Sequence, residues 1–282
     1  MTTSVASPPA HSAAQPVLNL ITVGTQRPFE KILDACGRHG ITAVSPWRDH
    51  YADIGVQRAA SALRERSISV STLCRMTGFG PAEDASDWLK SIDDARRVVE
   101  EAATLGATSI TLTGGGIAPL GKSIRDARQR ILEGIQTILA EARAAGVLLA
   151  IEPLHPMCAA DRGAISSIKL ACEMAVAAGP GAKVMVDAYN TWWDPEIEAS
   201  LAAAADLICG FQVSDWLVPT TDLAFDRGMM GDGVIDLPQV RRMVAAAGYD
   251  GPVEVEILSN RWAARPIDEI ISTVMHRFAS VC

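Results

Sequence analysis

Eight short apolar runs, each followed by a longer amphipathic stretch, constrain the fold of this 282-residue chain more than any other feature. The runs are too short for helices, and several are rich in β-branched residues, which favours buried parallel strands. The amphipathic stretches repeat apolar residues at three- and four-residue spacing, which predicts helices packed on a sheet. The runs span residues 18–23, 42–45, 68–74, 109–113, 147–151, 183–186, 208–213 and 253–257.

Eight strand–helix units in strict order predict an α/β fold, a single (β/α)8 TIM barrel, because eight parallel strands close into a barrel. A doubly wound open sheet is the alternative, but the turn after the first run, residues 23–27, lacks the glycine-rich phosphate-binding pattern. The predicted helices span residues 28–39, 54–66, 87–105, 123–145, 166–178, 195–204, 237–247 and 266–278.

The ends and the charge of the chain bear on its location and partners. Residues 1–16, rich in Ala, Ser and Pro, are predicted to form a disordered tail rather than a signal peptide, which leaves 17–282 as the barrel domain. The net charge of −8 and scattered basic residues argue against a nucleic-acid partner. No apolar run reaches the roughly 18 residues of a membrane helix. Six cysteines without a CxxC pair predict free thiols and a cytoplasmic location.

Four polar side chains end four consecutive predicted strands, where barrel enzymes carry their chemistry. They are Glu152, Asp187, Gln212 and Glu256. Three carboxylates brought together would repel unless a cation neutralises them. An all-oxygen set with one amide suits Mn²⁺, or Mg²⁺ or Co²⁺, better than Zn²⁺. The alternative is that each acid caps the next helix or pairs with an arginine.

Further candidates lie on the loops that follow the strands. His155 comes three residues after Glu152, where a neutral imidazole could take a proton near pH 7, or could make only a structural hydrogen bond. Trp47 and His50 follow the second run and Trp216 follows the seventh, so they are candidate substrate contacts, with ordinary packing as the alternative. Glycines 114–116 lack a following phosphate-loop pattern, and no nucleotide cofactor is expected.

Several segments resemble the xylose isomerase-like TIM-barrel family of sugar phosphate isomerases and epimerases. This family includes ketose 3-epimerases, inosose isomerases and dehydratases, and large subunits of C-glycoside deglycosidases. The resemblance spans residues from about 18 to 278. The segments that carry it are 151–156 (Ile-Glu-Pro-Leu-His-Pro), Val186 with Asp187, Asp215, 231–236 (Gly-Asp-Gly-Val-Ile-Asp) and 248–256 (Gly-Tyr-Asp-Gly-Pro-Val-Glu-Val-Glu).

The resemblance implies a metal held by a Glu, an Asp, a His and a Glu. At these positions the chain has Glu152, Asp187, Gln212 and Glu256, so Gln212 replaces the usual histidine. Asn190, a candidate substrate contact, likewise stands where epimerases of the family carry a histidine. Arg227 matches the family's substrate-binding arginine.

These residues predict a divalent-metal-dependent isomerase or epimerase acting on a keto-sugar or cyclitol. The metal would bind the substrate carbonyl, and Glu152 and Glu256 would move the proton on the adjacent carbon through an enediolate. The alternative is a lyase using the same enolate, such as a 3-keto C-glycoside deglycosidase subunit or an inosose-type dehydratase, with His155 as the base. A non-catalytic binding protein is the third possibility.

The expected partner is a sugar or glycoside, not a nucleic acid or a membrane. We expect a homo-oligomer, or a hetero-oligomer with a small subunit if the protein is a deglycosidase. A DNA-repair endonuclease of this fold would need a trinuclear, histidine-rich site, which the two loop histidines, His50 and His155, do not supply.

Overall fold

A computed structural model of the chain, which describes residues 15–79, 85–117 and 123–282, contains one parallel sheet of nine strands. Neighbours along the sheet follow the order β3-β2-β1-β9-β8-β7-β6-β5-β4. Most of the predicted tail, residues 1–16, lies outside the described residues. The strands are β1 (Val17–Asn19), β2 (Ala43–Ser45), β3 (Ser69–Val70), β4 (Thr72–Met76), β5 (Ser109–Leu112), β6 (Leu148–Ile151), β7 (Ala182–Asp187), β8 (Ile208–Val213) and β9 (Val253–Val255).

The two edges of the sheet are the two halves of one predicted strand, 68–74. The chain breaks it at Ser71, so that β3 pairs with β2 while β4 pairs with β5. A parallel bridge between Trp47 and Cys74, with Cys74 N donating to Pro46 O at 3.0 Å, joins these edges. The barrel is therefore nearly closed, and the predicted TIM-barrel fold is confirmed.

Helices follow the strands around the outside of the barrel, and side chains cap several of them. Ser123 accepts a hydrogen bond from Asp126 N at the start of the helix Ile124–Ala144, and Ser167 accepts one from Leu170 N at the start of the helix Ile168–Ala178, as good N-caps do. Two short helices, Ala188–Thr191 and Asn260–Ala263, were not predicted. The helices are α1 (Phe29–Arg38), α2 (Val56–Glu65), α3 (Ala85–Leu105), α4 (Ile124–Ala144), α5 (Ile168–Ala178), α6 (Ala188–Thr191), α7 (Ile197–Ala204), α8 (Leu237–Ala246), α9 (Asn260–Ala263) and α10 (Ile267–Val281).

The apolar core lies between the sheet and the helices, and includes the fully buried Ile32, Ile131 and Ile135. Burial on both faces explains why the strands are continuous apolar runs. A polar group of buried side chains interrupts them: Asn19, Ser45, Gln212 and Glu254. Among the described residues, no helix is both long and apolar enough to span a membrane.

The first strand is shorter than the predicted run 18–23. The side chain of Asn19 accepts a hydrogen bond from Ile21 N at 3.2 Å and starts a 3-10 turn over Leu20–Val23. Asn19 therefore ends β1 at the level of the polar group inside the barrel.

Candidate metal centre and active site

Strand register aligns the candidate ligands. Asp187 at the end of β7 pairs with Gln212 on β8, and Gln212 pairs with Glu254 on β9. Glu256 lies two residues beyond Glu254, and thus further toward the carboxyl ends of the strands on the same side. Glu152 directly follows β6. Parallel strands therefore bring all four predicted ligands to one end of the barrel.

Three of these residues form a compact carboxylate cluster. Glu152, Asp187 and Glu256 each place one carboxylate oxygen within 4.8 Å of the others, and all three side chains are buried. Burial raises the pKa of Glu152 well above its usual value, and the charges of Glu256 and Asp187 add to the rise. Burial also raises the pKa of Asp187, and that of Glu256 to about 7. Such a cluster favours a cation.

The guanidinium of Arg227 supplies one positive charge to this cluster. Its Nη1 donates to Asp187 Oδ2 at 2.9 Å and to Glu256 Oε2 at 3.1 Å. The Arg227 side chain is only 8% exposed and stacks over the ring of Tyr189 at 4.3 Å. The Asp187 side chain also caps α6 through Tyr189 N at 2.9 Å. Capping and arginine pairing, the alternative to metal binding, are thus both present at Asp187.

Asp215 fixes the loop that carries Arg227. Its carboxylate accepts from the backbone N–H groups of Gly231, Gly233 and Ile235 at 2.9–3.0 Å, and its backbone pairs with Gly228. A Cβ at Gly233 would lie 2.2 Å from Trp216 O, so only glycine fits there. The segment 231–236 therefore anchors the loop through Asp215 and makes no hydrogen bond to Glu152, Asp187 or Glu256.

Gln212 presents its amide oxygen without a donor. Its Nε2 donates to Glu254 Oε1 at 2.8 Å, which fixes which way the amide faces. Its buried Oε1 accepts no hydrogen bond from any described residue. An unpartnered buried oxygen is costly unless something of positive charge meets it. Beside Asp187, this atom suits a cation.

Glu254 is saturated by neutral donors. Its Oε1 accepts from Asn19 at 2.7 Å as well as from Gln212, and its Oε2 accepts from Ser45 at 2.6 Å. Cys74 lies near Glu254 and Glu256, but burial raises the pKa of its thiol, so it stays protonated. Glu256 also accepts three bonds, from Asn19 at 2.9 Å and Cys74 at 3.7 Å on Oε1 and from Arg227 on Oε2. Of the two glutamates, Glu256 is the one that lines the cavity at this end of the barrel.

Asn190 ties the carboxylates to the loop after β6. Its Nδ2 donates to Glu152 Oε1 at 2.9 Å and to Asp187 Oδ2 at 2.8 Å. Its Oδ1 accepts from the backbone N–H of His155 at 3.2 Å. The Asn190 amide therefore donates two hydrogen bonds and accepts one. A neutral imidazole at this position has one donor and one acceptor, so it would make fewer of these hydrogen bonds.

His155 is half-buried among aromatic rings. Its ring lies 5.0 Å from Trp216 and 5.6 Å from Trp193, and Trp216 stacks on Tyr189 at 4.7 Å. Burial lowers the pKa of His155, which keeps the ring neutral at pH 7. Nδ1 accepts from Met157 N at 3.3 Å, so the proton of the neutral ring lies on Nε2. This arrangement favours donation of a hydrogen bond over acceptance of a proton.

The structure does not bring His50 to the site. Its side chain is 2% exposed, and its Nδ1 accepts from Trp47 N at 3.1 Å. Trp47 does reach the site: its Nε1 donates to Asn19 Oδ1 at 2.9 Å and its ring lies below Arg75. His50 is therefore placed to support Trp47, and its role as a substrate contact stays a prediction.

A cavity of about 40 Å³ lies over the carboxylates. Its volume suits a few water molecules, at about 10–15 Å³ each, so a sugar would require the covering loop with Leu223 and Ala224 to move. Two of the three arginines that line it, Arg75 and Arg162, are absent from the predicted site. The sequence indicated Arg75, because it directly follows the third apolar run, where residues of the site are expected. No pattern in the sequence indicated Arg162. The predicted residues that line it are Trp47, Glu152, Asn190, Arg227 and Glu256.

The donor set fits a divalent ion. Three clustered carboxylates and the unpartnered oxygen of Gln212 are the hard oxygen ligands that such ions prefer. Arg227 occupies one oxygen each of Asp187 and Glu256, so an ion bound to those atoms would have to displace it.

Fold and site together define a barrel protein with a buried acidic centre at the carboxyl ends of its strands. The chain belongs to the xylose isomerase-like TIM barrel family, which it matches over residues 33–276. It is 46% identical to protein SMc04130 from Sinorhizobium meliloti 1021, covering 95% of this chain and 99% of that one, with a TM-score of 0.92. No curated protein sequence matches the chain.

More distant structures share the fold. The IOLI protein, solved with a bound zinc atom, is 17% identical with a TM-score of 0.81, over 95% of this chain and 98% of that one. D-psicose 3-epimerase, solved in the presence of D-fructose, is 14% identical with a TM-score of 0.75, over 94% and 97%. At these identities the likeness shows the fold.

Proposed function

We propose that this protein is a divalent-metal-dependent isomerase or epimerase that acts on a keto-sugar or cyclitol. The observation that carries the proposal is that Glu152 and Glu256 line one cavity although two strands, β7 and β8, separate their strands in the sheet. A substrate in this cavity would meet carboxylates from two different walls. The zinc atom of the IOLI protein and the epimerase with the same fold support the class of reaction.

Glu152, Asp187, Gln212 and Glu256 would hold the ion, with Mn²⁺ as the first candidate. A bound divalent ion supplies a Lewis acid that polarises a substrate carbonyl and acidifies the neighbouring carbon-bound proton. Glu152 or Glu256 removes that proton and the other returns one, which changes configuration or moves the carbonyl without a redox cofactor. Asn190 holds Glu152 in place through its Nδ2, and Arg227 and Trp47 orient the substrate.

Exchange of the carbon-bound proton tests this proposal directly. Metal-loaded protein is incubated with keto-sugars and inososes in deuterated buffer, and deuterium at the carbon next to the carbonyl is followed by NMR. Glu152→Gln and Glu256→Gln should each abolish exchange, while Glu141→Gln, on the exposed face of α4, should not. Two results would refute the proposed chemistry. One is exchange that persists in both cavity variants, and the other is the absence of exchange in the native protein with every divalent metal added.

A lyase is the second candidate, favoured by the aromatic rings around His155. Trp216 and Tyr189 are buried against each other, whereas Trp193 is only partly buried beside His155 and has a flat ring that suits a sugar ring or an aromatic aglycone. The same enolate would then expel a group β to the carbonyl. Release of the aglycone from a 3-keto glycoside, followed by its absorbance, distinguishes this outcome from epimerisation.

A further inference from the structure

Two of the three arginines that line the cavity lack a firm carboxylate partner. Arg227 bridges Asp187 and Glu256. The Arg75 side chain makes no hydrogen bond or ion pair with any described residue, and rests over the Trp47 ring at 4.8 Å. The carboxylate nearest to Arg162 belongs to the largely exposed Asp161, 3.6 Å away.

Arg162 faces the cavity with its donors incompletely used. Its Nη2 donates to Cys158 Sγ at 3.0 Å, a weak acceptor, and its buried Nε has no hydrogen-bond partner among the described residues. A guanidinium offers five donors in a planar fork. The Arg162 side chain is 35% exposed, so the cost of an unmatched buried donor applies to its Nε. Both Arg75 and Arg162 therefore retain donors for a ligand that enters the cavity.

The charges of the site leave these two arginines in excess. When Glu152, Asp187 and Glu256 are ionised, a divalent ion together with Arg227 balances their three negative charges. Glu254 does not line the cavity and is bonded by Asn19, Ser45 and Gln212. Among the described residues that line the cavity, no further carboxylate remains for Arg75 or Arg162, and the counter-charge of Arg162 is Asp161, outside the cavity. Together the two arginines can bind one carboxylate or one phosphate group.

The geometry points to a substrate that carries an anionic group, a carboxylate or a phosphate, bound by Arg75 and Arg162 while its reacting carbon lies at Glu152 and Glu256. This inference rests on the proposed function for the position of the reacting carbon, and on the arginines alone for the anion. The planar fork of arginine matches both groups with paired hydrogen bonds.

Three ligands that differ only at carbon 6 test the inference: D-fructose, D-fructose 6-phosphate and D-fructuronate. Their binding to metal-free and Mn²⁺-loaded protein is measured by calorimetry, with inorganic phosphate as a fourth probe. We expect at least one anionic ligand to bind more tightly than fructose, and the better of the two identifies carboxylate or phosphate. Arg75→Gln and Arg162→Gln should each weaken that binding roughly ten- to hundredfold.

Arg242→Gln, on the exposed face of α8, is the matched control for loss of one charge and should leave all affinities unchanged. The inference is overturned if none of the anionic probes binds at millimolar concentration, or if the preference for an anion survives the Arg75 and Arg162 double variant. Anion binding without any proton exchange would support the anion site at Arg75 and Arg162 and refute the proposed function. Proton exchange on neutral sugars, with no tighter binding of the anionic probes, would support the proposed function and overturn the inference of an anion site.

Discussion

Arg227 Nη1 lies 2.9 Å from Asp187 Oδ2, so a guanidinium already neutralises a carboxylate that is proposed to hold a metal ion. The same nitrogen also donates to Glu256. A metal ion bound to these oxygens would lie close to the positive charge of the Arg227 guanidinium. The ion and the guanidinium must then share the carboxylate oxygens, or one must displace the other. The free energy of metal binding therefore depends on Arg227.

Replacing Arg227 by Met should tighten Mn²⁺ binding by about tenfold or more, because a charge a few ångströms from the ion is removed. The metal-free variant should lose roughly 3–5 kcal/mol of unfolding free energy, since its carboxylates lose their partner in the interior. Calorimetric titration with Mn²⁺ and urea unfolding with and without metal measure both effects. Arg227→Lys retains the charge and serves as control; unchanged metal affinity in the Met variant would show that Arg227 and the ion do not compete.

Gln212 offers a second test of the metal site. Gln212→Met keeps the length of the side chain but removes the oxygen, and we expect metal affinity to fall at least ten- to hundredfold, the loss typical of even indirect supports of a metal. Gln212→His restores a ligand atom and should retain binding. Metal content after dialysis against limiting Mn²⁺ measures both variants. Full occupancy in the Met variant would remove Gln212 from the ligand set.

The convergence of Glu152, Asp187, Gln212 and Glu256 could be predicted because it follows from parallel strand order alone. Each residue lies within the last two positions of a strand or directly follows one, and parallel strands place such residues at one end of a barrel. The sequence could not reveal that Glu254 would be saturated by Asn19, because that contact joins residues 235 positions apart.

The loops were less predictable than the strands. Arg162 lies in the loop after β6 with no apolar pattern to place it, and only the folded loop brings its side chain to the cavity. His50 and Trp47 are three residues apart, yet one is buried and the other lines the cavity, because a 3-10 turn over Arg48–His50 separates them. Such a turn leaves no periodic signal in the sequence.

Burial of His50 predicts a dependence of stability on pH. Burial lowers its pKa, so below about pH 6.5 the unfolded chain binds a proton that the folded protein resists. The contribution of His50 to the unfolding free energy should therefore fall as pH falls below that value, by at most about 1.4 kcal/mol per pH unit. It opposes the contribution of the buried Glu152, Asp187 and Glu256, whose raised pKa values favour the folded state as pH falls. His50→Asn keeps an acceptor for Trp47 N, so at pH 5 relative to pH 7 it should be more stable in urea unfolding than the native protein is. His276→Asn, on an exposed helix face, is the control; equal slopes in all three proteins would assign the acid sensitivity elsewhere.

The hydrogen bond from Met157 N to His155 Nδ1 predicts how His155 acts. If the neutral ring carries its proton on Nε2, its role is to donate to a substrate oxygen, and His155→Gln, which keeps a donor at a similar distance, should retain turnover to within about tenfold of the native protein. His155→Ala should lower turnover by roughly a hundred- to a thousandfold, the loss seen when a donor to a developing charge is removed.

A base would behave differently, because an amide cannot take a proton and the two variants would be equally inactive, by about a hundred- to ten-thousandfold. The ¹⁵N chemical shifts of the imidazole report the tautomer independently of activity. A proton found on Nδ1, together with equal loss of deuterium exchange in His155→Gln and His155→Ala, would restore His155 as the base and favour the lyase.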